Sequence, residues 1–169
     1  MNTKRITRIS LLTALALIIF IVEAQIPPIV PIPGIKLGLA NVITLITMAW
    51  FGKKDAFFVL ILRIILGSIF AGTAISFVYS VSGGILCFIA MSLTIPFFKG
   101  NTIWIVSVFG AIAHNIGQIV AAIILTETPQ IAAYLPILII SAVITGAFTG
   151  LCAQLIIKRK SDIYGGHGN

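Results

Sequence analysis

Charge is what this sequence has least of. Of its 169 residues, 9% are charged, and only four are acids. A soluble domain carries about 25% charged residues. This composition cannot cover a water-facing surface, which excludes a soluble enzyme. Acid–base chemistry is equally poorly supplied. The two aspartates, Asp55 and Asp162, are far apart, and no two carboxylates stand at catalytic spacing. The chain has no phosphate-binding G-x-x-x-x-G-K-[ST], no nucleophile elbow and no H-E-x-x-H. It therefore has no such route to ATP hydrolysis and no catalytic residue to nominate. Cysteine is limited to Cys87 and Cys152, each inside an apolar run and read as a small buried residue. No Cys/His cluster has the spacing of a metal site, and no internal repeat is evident.

What the sequence does have is length in apolar runs. Hydrophobic residues make up 59% of the chain, and its mean hydropathy is +1.17. The runs are Ile9–Ile26, Ile35–Phe51, Ala56–Ala71, Ala74–Phe98, Ile103–Leu125 and Ile131–Ile157. A helical span needs about 20 residues. Lipid offers no water to unpaired backbone groups, so each run is expected to be helical. The first run follows Lys4, Arg5 and Arg8 as a signal peptide would, but it exceeds an h-region of about 7–15 residues and is read as a retained helix. The expectation is an all-α, multi-pass protein with one six-helix transmembrane domain over residues 1–160. A flexible polar cytoplasmic tail would occupy 161–169.

Eleven bases against four acids give a formal charge of +7. They lie between apolar runs rather than on one solvated face, which argues against nucleic acid. With the start of the chain inside, the cytoplasmic set is Lys4, Arg5, Arg8, Lys53, Lys54, Lys99, Lys158, Arg159 and Lys160. Lys36 alone falls outside, and Arg63 lies within the third span. That asymmetry places both termini in the cytoplasm. The first outer loop, IPPIVPIPGIKLG, is apolar, proline-rich and stiff. It reads either as a lid over an outer pocket or as a rigid connector. Gly52 ends the second span, and Asp55 can cap the third.

Ionisable groups inside a span are costly and face the bundle interior or a cavity. Arg63, with Gly67 one turn on, reads as an anchor for phosphate or carboxylate, or as a structural ion pair with Glu23. Lys36, at the start of the second span, reads as an attractor for an anion beside a helix N-terminus, or as an interfacial lysine. On the fifth span His114 and Gln118 share a face, with Asn115 about 100° away. They serve either a ligand or interhelical hydrogen bonds. Asn41 and Thr44 form a lesser stripe, as do Ser141, Thr145 and Thr149. Tyr79, with Ser80, Ser82, Gly83 and Gly84, marks an expected irregularity in the fourth span. The candidate ligand set is Lys36, Asn41, Arg63, Tyr79, His114, Asn115 and Gln118. Glu23 and Glu127 lie towards outer ends, which disfavours a proton relay. Small residues stripe the fifth span (Ala113, Gly117, Ala121) and the sixth (Ala142, Gly146, Gly150), as tight helix contacts require.

The segments KRITRISLLTALAL, GIKLGLANVITL, FGKKDAFFVLILRIILGSIF and AHNIGQ together resemble the Gx transporter family. That family is also labelled heptaprenyl diphosphate synthase component I. The resemblance covers about residues 4–160. It extends to substrate-binding S components of energy-coupling factor (ECF) transporters. It implies a six-helix subunit of the bacterial cytoplasmic membrane that binds a vitamin-like ligand from outside. Its partners would be a membrane coupling subunit and cytoplasmic ATPases. Ser10, Ala14 and Ala16 are what the resemblance nominates for docking the coupling subunit. It also implies an anionic cargo, a flavin nucleotide ahead of an isoprenoid diphosphate, with no intrinsic cofactor. The synthase label conflicts with the chemistry, because two isolated aspartates cannot hold Mg²⁺ against diphosphate. An accessory role in isoprenoid or quinone synthesis, or in a membrane redox complex, stays open.

Overall fold

A computed structural model of the chain describes residues 3–27, 35–71, 74–98 and 100–165. Pro28, Pro31, Pro33 and Gly34 of the outer loop, the Gly72-Thr73 break and Lys99 lie outside the described residues. Six helices follow in order: α1 (Thr3–Glu23), α2 (Asn41–Phe51), α3 (Lys53–Ala71), α4 (Ala74–Thr94), α5 (Ile103–Thr126) and α6 (Leu135–Gly165). Short 3₁₀ turns at Gly100–Thr102 and Pro129–Tyr134 lead into α5 and α6. No strand occurs among the described residues.

The exterior is apolar and the interior is partly polar, the reverse of a water-soluble bundle. Leu11, Ile69, Phe70, Ile144, Phe148 and Leu155 are each more than 60% exposed, whereas Arg63, His114, Asn115 and Gln118 are each 3% exposed or less. Four helical stretches, Thr3–Glu23, Ala74–Thr94, Gly100–Thr126 and Pro129–Arg159, are long and apolar enough to cross a bilayer. The protein is a membrane protein.

Two helices fall short of the sequence expectation, for different reasons. α3 carries Lys53, Lys54, Asp55 and Arg63, which dilute its hydropathy. α2 has 11 residues, about 16 Å at 1.5 Å per residue, against a hydrocarbon core of about 30 Å. Its expected first third, Ile35–Ala40, is not helical. α6 is longer than expected, since helix continues through Gly165 rather than stopping before Ser161. α4 is unbroken from Ala74 to Thr94, so the irregularity expected near Ser80–Gly84 is absent. Small residues and a satisfied helical backbone make a break there unnecessary.

α2 is short but central: it touches all five other helices. Residues Ile43 to Met48 are all buried. Among the described residues α1 and α6 do not pack on each other, and α2 stands between them. Gly52, with φ of 86°, turns α2 into α3 in one residue, and its N–H donates to the Met48 carbonyl. That left-handed geometry is cheap only for glycine. Asp55 is the third residue of α3, not its cap. It instead pairs with Arg5 at 2.6 Å, fastening the start of α1 to the α2–α3 corner. Arg8 lies over the Phe51 ring at 4.8 Å, beside the same corner.

α4, α5 and α6 pack antiparallel in series through their glycines. A Cβ on Gly117 would lie 2.7 Å from the Ser82 carbonyl oxygen, whose side-chain hydroxyl donates to the Gly117 carbonyl at 2.6 Å. A Cβ on Gly146 would lie 2.8 Å from Val108 Cα, and one on Gly150 would lie 2.6 Å from the Trp104 carbonyl oxygen. These backbones touch because no side chain intervenes. Gly150→Val is expected to destabilise the bundle by about 1–3 kcal/mol, because backbone cannot retreat as a side-chain tip can. Thermal unfolding in detergent measures it, with Ile144→Val on the lipid-facing side of α6 as the neutral control.

Candidate functional site

The site is organised by a stretch of backbone that enters the bundle without being helical. After α1 the chain turns at Ala24–Ile26, and Ile35–Gly38 is irregular, non-helical backbone before a turn at Leu39–Ala40 opens α2. Amides in such a segment find no partner within their own element, and an unpaired one costs several kcal/mol away from water. Three are taken up by side chains. The Gly38 N–H donates to Glu23 Oε1 at 2.5 Å, and the Leu39 N–H donates to Glu23 Oε2 at 3.0 Å. The Lys36 N–H donates to Gln118 Oε1 at 3.2 Å. Lys36 is therefore not at a helix N-terminus, contrary to expectation. Its ammonium sits 3.5 Å from the centre of the Phe20 ring, a cation–π contact.

Gly38 makes this path possible. Its φ is +79°, and a Cβ there would lie 2.8 Å from both Asn41 Nδ2 and His114 Cδ2. Gly67 serves Phe20 rather than a ligand, since a Cβ on it would lie 2.9 Å from that ring. Gly83 performs the same service for the imidazole, where a Cβ would lie 2.8 Å from His114 Nδ1.

Behind the re-entering segment runs a buried relay across three helices. Arg63 Nη2 donates to Asn41 Oδ1 at 3.0 Å, and Asn41 Nδ2 lies 3.1 Å from His114 Nδ1. Guanidinium can only donate, which fixes the Asn41 amide with its oxygen towards Arg63. The amide nitrogen must then donate to His114 Nδ1, which places the imidazole proton on Nε2. Two donors remain over. Arg63 Nε and His114 Nε2 are buried and have no hydrogen-bond partner among the described residues. Arg63 and Glu23 form no direct ion pair, although each lies in the other's field. The Glu23 oxygens are directed to backbone instead.

Of the seven candidate ligand residues, Lys36, Asn41, Arg63, His114 and Gln118 come together here. Asn115 does not: its Nδ2 donates to the Leu138 carbonyl of α6 at 2.8 Å. One step along a helix turns a side chain by about 100°, and that step carries it to the other neighbour. Tyr79 also lies apart, 2% exposed in a separate apolar cluster with Ile35, Ile119 and Leu138. Of the three docking candidates Ser10 and Ala14 are exposed, but Ala16 is 1% exposed in the core. Two positions beyond Ala14 is about 200° around the helix, so Ala16 faces inward. Next to the relay is a cavity of about 10 Å³, lined in part by Gly38, Leu39, Asn41, Ser107 and Thr149. That is the size of one water molecule.

The sequence profile of heptaprenyl diphosphate synthase component I, the Gx transporter family, matches residues 12–156. The chain belongs to that family. No curated protein and no solved structure matches it. The part shared with the family contains Glu23, Lys36, Asn41, Arg63, His114 and Gln118, the whole of the relay and its clasp.

Sequence reasoning missed the contacts of Glu23 with the Gly38 and Leu39 amides, having considered it only as an alternative partner for Arg63. It also missed Phe20 and Gly38, and it read Gly83 as part of a helix irregularity rather than as room for the His114 ring. Gly38 was the available signal: a glycine four residues into an apolar run is a poor helix former and marks a close approach of backbone. Asn41→Leu removes both amide atoms from the relay. It strands a buried guanidinium and is expected to lower stability by about 2–4 kcal/mol. Gln118→Ala deprives one neutral amide of its acceptor and is expected to cost about 1 kcal/mol. Denaturant unfolding of the purified protein in detergent orders the two; equal losses would contradict the relay.

Proposed function

We propose that this protein is the substrate-binding membrane subunit of an ECF-type transporter, gripping an anionic vitamin-like cargo at the Arg63–Asn41–His114 relay. The observation that carries the reading is a pair of donors, Arg63 Nε and His114 Nε2, that lie in the interior of a membrane protein with no partner among the described residues. Buried donors seek acceptors, and a guanidinium beside an N–H suits phosphate or carboxylate oxygen. Six spans and cytoplasmic termini in a bacterial membrane fit the bases at the helix ends. The Arg5–Asp55 pair supports this by bringing the start of α1 to the α2–α3 corner that holds Lys53 and Lys54. Under this reading Ile35–Ala40 completes α2 as the non-helical first third of the second span.

A ligand pocket holds about 300–1,000 Å³, so cargo enters by displacing the Ile35–Ala40 segment from above the relay. A flavin nucleotide is the favoured cargo, because its phosphate suits Arg63 and its ring edge suits Asn41 and Gln118. The chain supplies no catalysis of its own. A coupling subunit and ATPases provide the driving force, and the exposed Ser10–Ala14 side of α1 is the docking face. The family's name favours one other reading, an accessory to heptaprenyl diphosphate synthesis. Co-purification separates the two: ATPases support the transporter, and a soluble prenyl synthase supports the accessory.

Arg63→Ala and His114→Ala are each expected to weaken riboflavin 5′-phosphate binding by about tenfold or more, the loss of a charge-assisted hydrogen bond. Both variants should remain folded. Tyr79→Phe should bind as the parent does. Isothermal calorimetry in detergent reads all three, and unchanged affinity in both relay variants removes the assignment. Native mass spectrometry of the purified protein identifies any retained cargo directly.

A further inference from the structure

Glu23 holds the re-entering segment in a way that resembles a bound ligand more than a helix contact. Its two carboxylate oxygens accept from two successive backbone N–H groups, those of Gly38 and Leu39. Paired amides of this kind form a concave anion site, or nest. The same carboxylate lies in the field of Arg63 and Lys36 and is 4% exposed. Arg63 Nε and His114 Nε2, close by, have no hydrogen-bond partner among the described residues, and His114 Nε2 would lie 3.0 Å from a Cβ on Gly38. A side chain from the end of α1 thus occupies an anion site, while neighbouring donors are left vacant.

We propose that the Gly38–Leu39 amides form an exchangeable anion site whose resting occupant is the Glu23 carboxylate, and that the acid group of the cargo takes its place. This rests on the reading of the relay as a cargo site and adds how that site is kept shut. With Glu23 in the nest, Gly38 is held against His114 and the relay is covered. An incoming phosphate or carboxylate offers the amides an equivalent acceptor and offers Arg63 a direct partner. The freed Glu23 then leaves with the end of α1, and Ile35–Ala40 is released. The ligand class is set by this competition: a cargo without an anionic group cannot replace a carboxylate and leaves the site closed.

The test uses the full chain in detergent and two substitutions. In Glu23→Ala the nest is empty, and acetate supplies the missing carboxylate from solution. Acetate at about 50 mM is expected to raise the melting temperature of Glu23→Ala saturably, as mass action requires, beyond equal chloride and without a like effect on the parent. In Glu23→Gln the side chain keeps its shape but loses an acceptor and its charge. Inorganic phosphate is expected to bind Glu23→Gln about tenfold more tightly than the parent, because the internal competitor is weakened. Acetate no better than chloride overturns the proposal, and so does failure of Glu23→Ala to fold when acetate is present. Tighter phosphate binding by the parent overturns it as well. If phosphate binds neither protein while acetate rescues Glu23→Ala, the exchangeable site stands and the cargo reading of the relay falls.

Discussion

An apolar interior does not tolerate idle amides, and this constraint shapes the protein around Ile35–Ala40. A helix meets it internally, bond by bond. Here the chain enters the bundle without helical bonding, and the obligation passes to side chains from elsewhere. Glu23 of α1 and Gln118 of α5 accept from that backbone. The polar groups that look out of place in a greasy sequence are therefore mutually dependent. Glu23 has reason to be buried because Gly38 and Leu39 donate to it. Those amides tolerate burial because Glu23 is there. Asn41, at the first turn of α2, is positioned by the same re-entry to face Arg63 on one side and His114 on the other.

The helices were legible because lipid imposes a simple rule on composition. Apolar runs and flanking bases located α3, α4 and α5 to within a few residues, whereas α1 begins earlier, at Thr3, and α6 runs later, to Gly165, than their apolar runs. Buried polar residues were legible for the same reason: an ionisable side chain in a span has to find protein or water. That logic found Arg63, His114, Gln118, Asn41 and Lys36. It could not find which of them pair. Asn115 and Tyr79 satisfy the same rule of polarity, but their directions around α5 and α4 carry them to other neighbours. Ala16 failed for a related reason, since smallness says nothing about facing.

The second span was misread because hydropathy does not register backbone conformation. Ile35-Lys36-Leu37-Gly38-Leu39-Ala40 is as apolar as a helix and of suitable length. Its conformation is decided by groups distant in sequence: a carboxylate 15 positions before Gly38 and an amide 82 positions after Lys36. Only the glycine betrayed it. The alternative that paired Glu23 with Arg63 was reasonable on charge alone, but a carboxylate in a dry interior is also drawn to backbone hydrogen, and two such donors hold it here.

The Gly52 corner has a mechanical consequence. With a single residue between them, α2 and α3 have no slack, so a tilt of either is handed to the other. α2 begins among the relay residues and ends at this corner, where Asp55 grips Arg5 at the opposite end of α1. The corner thus joins the helix that carries Asn41 to the Arg5 end of α1 without a flexible linker between them.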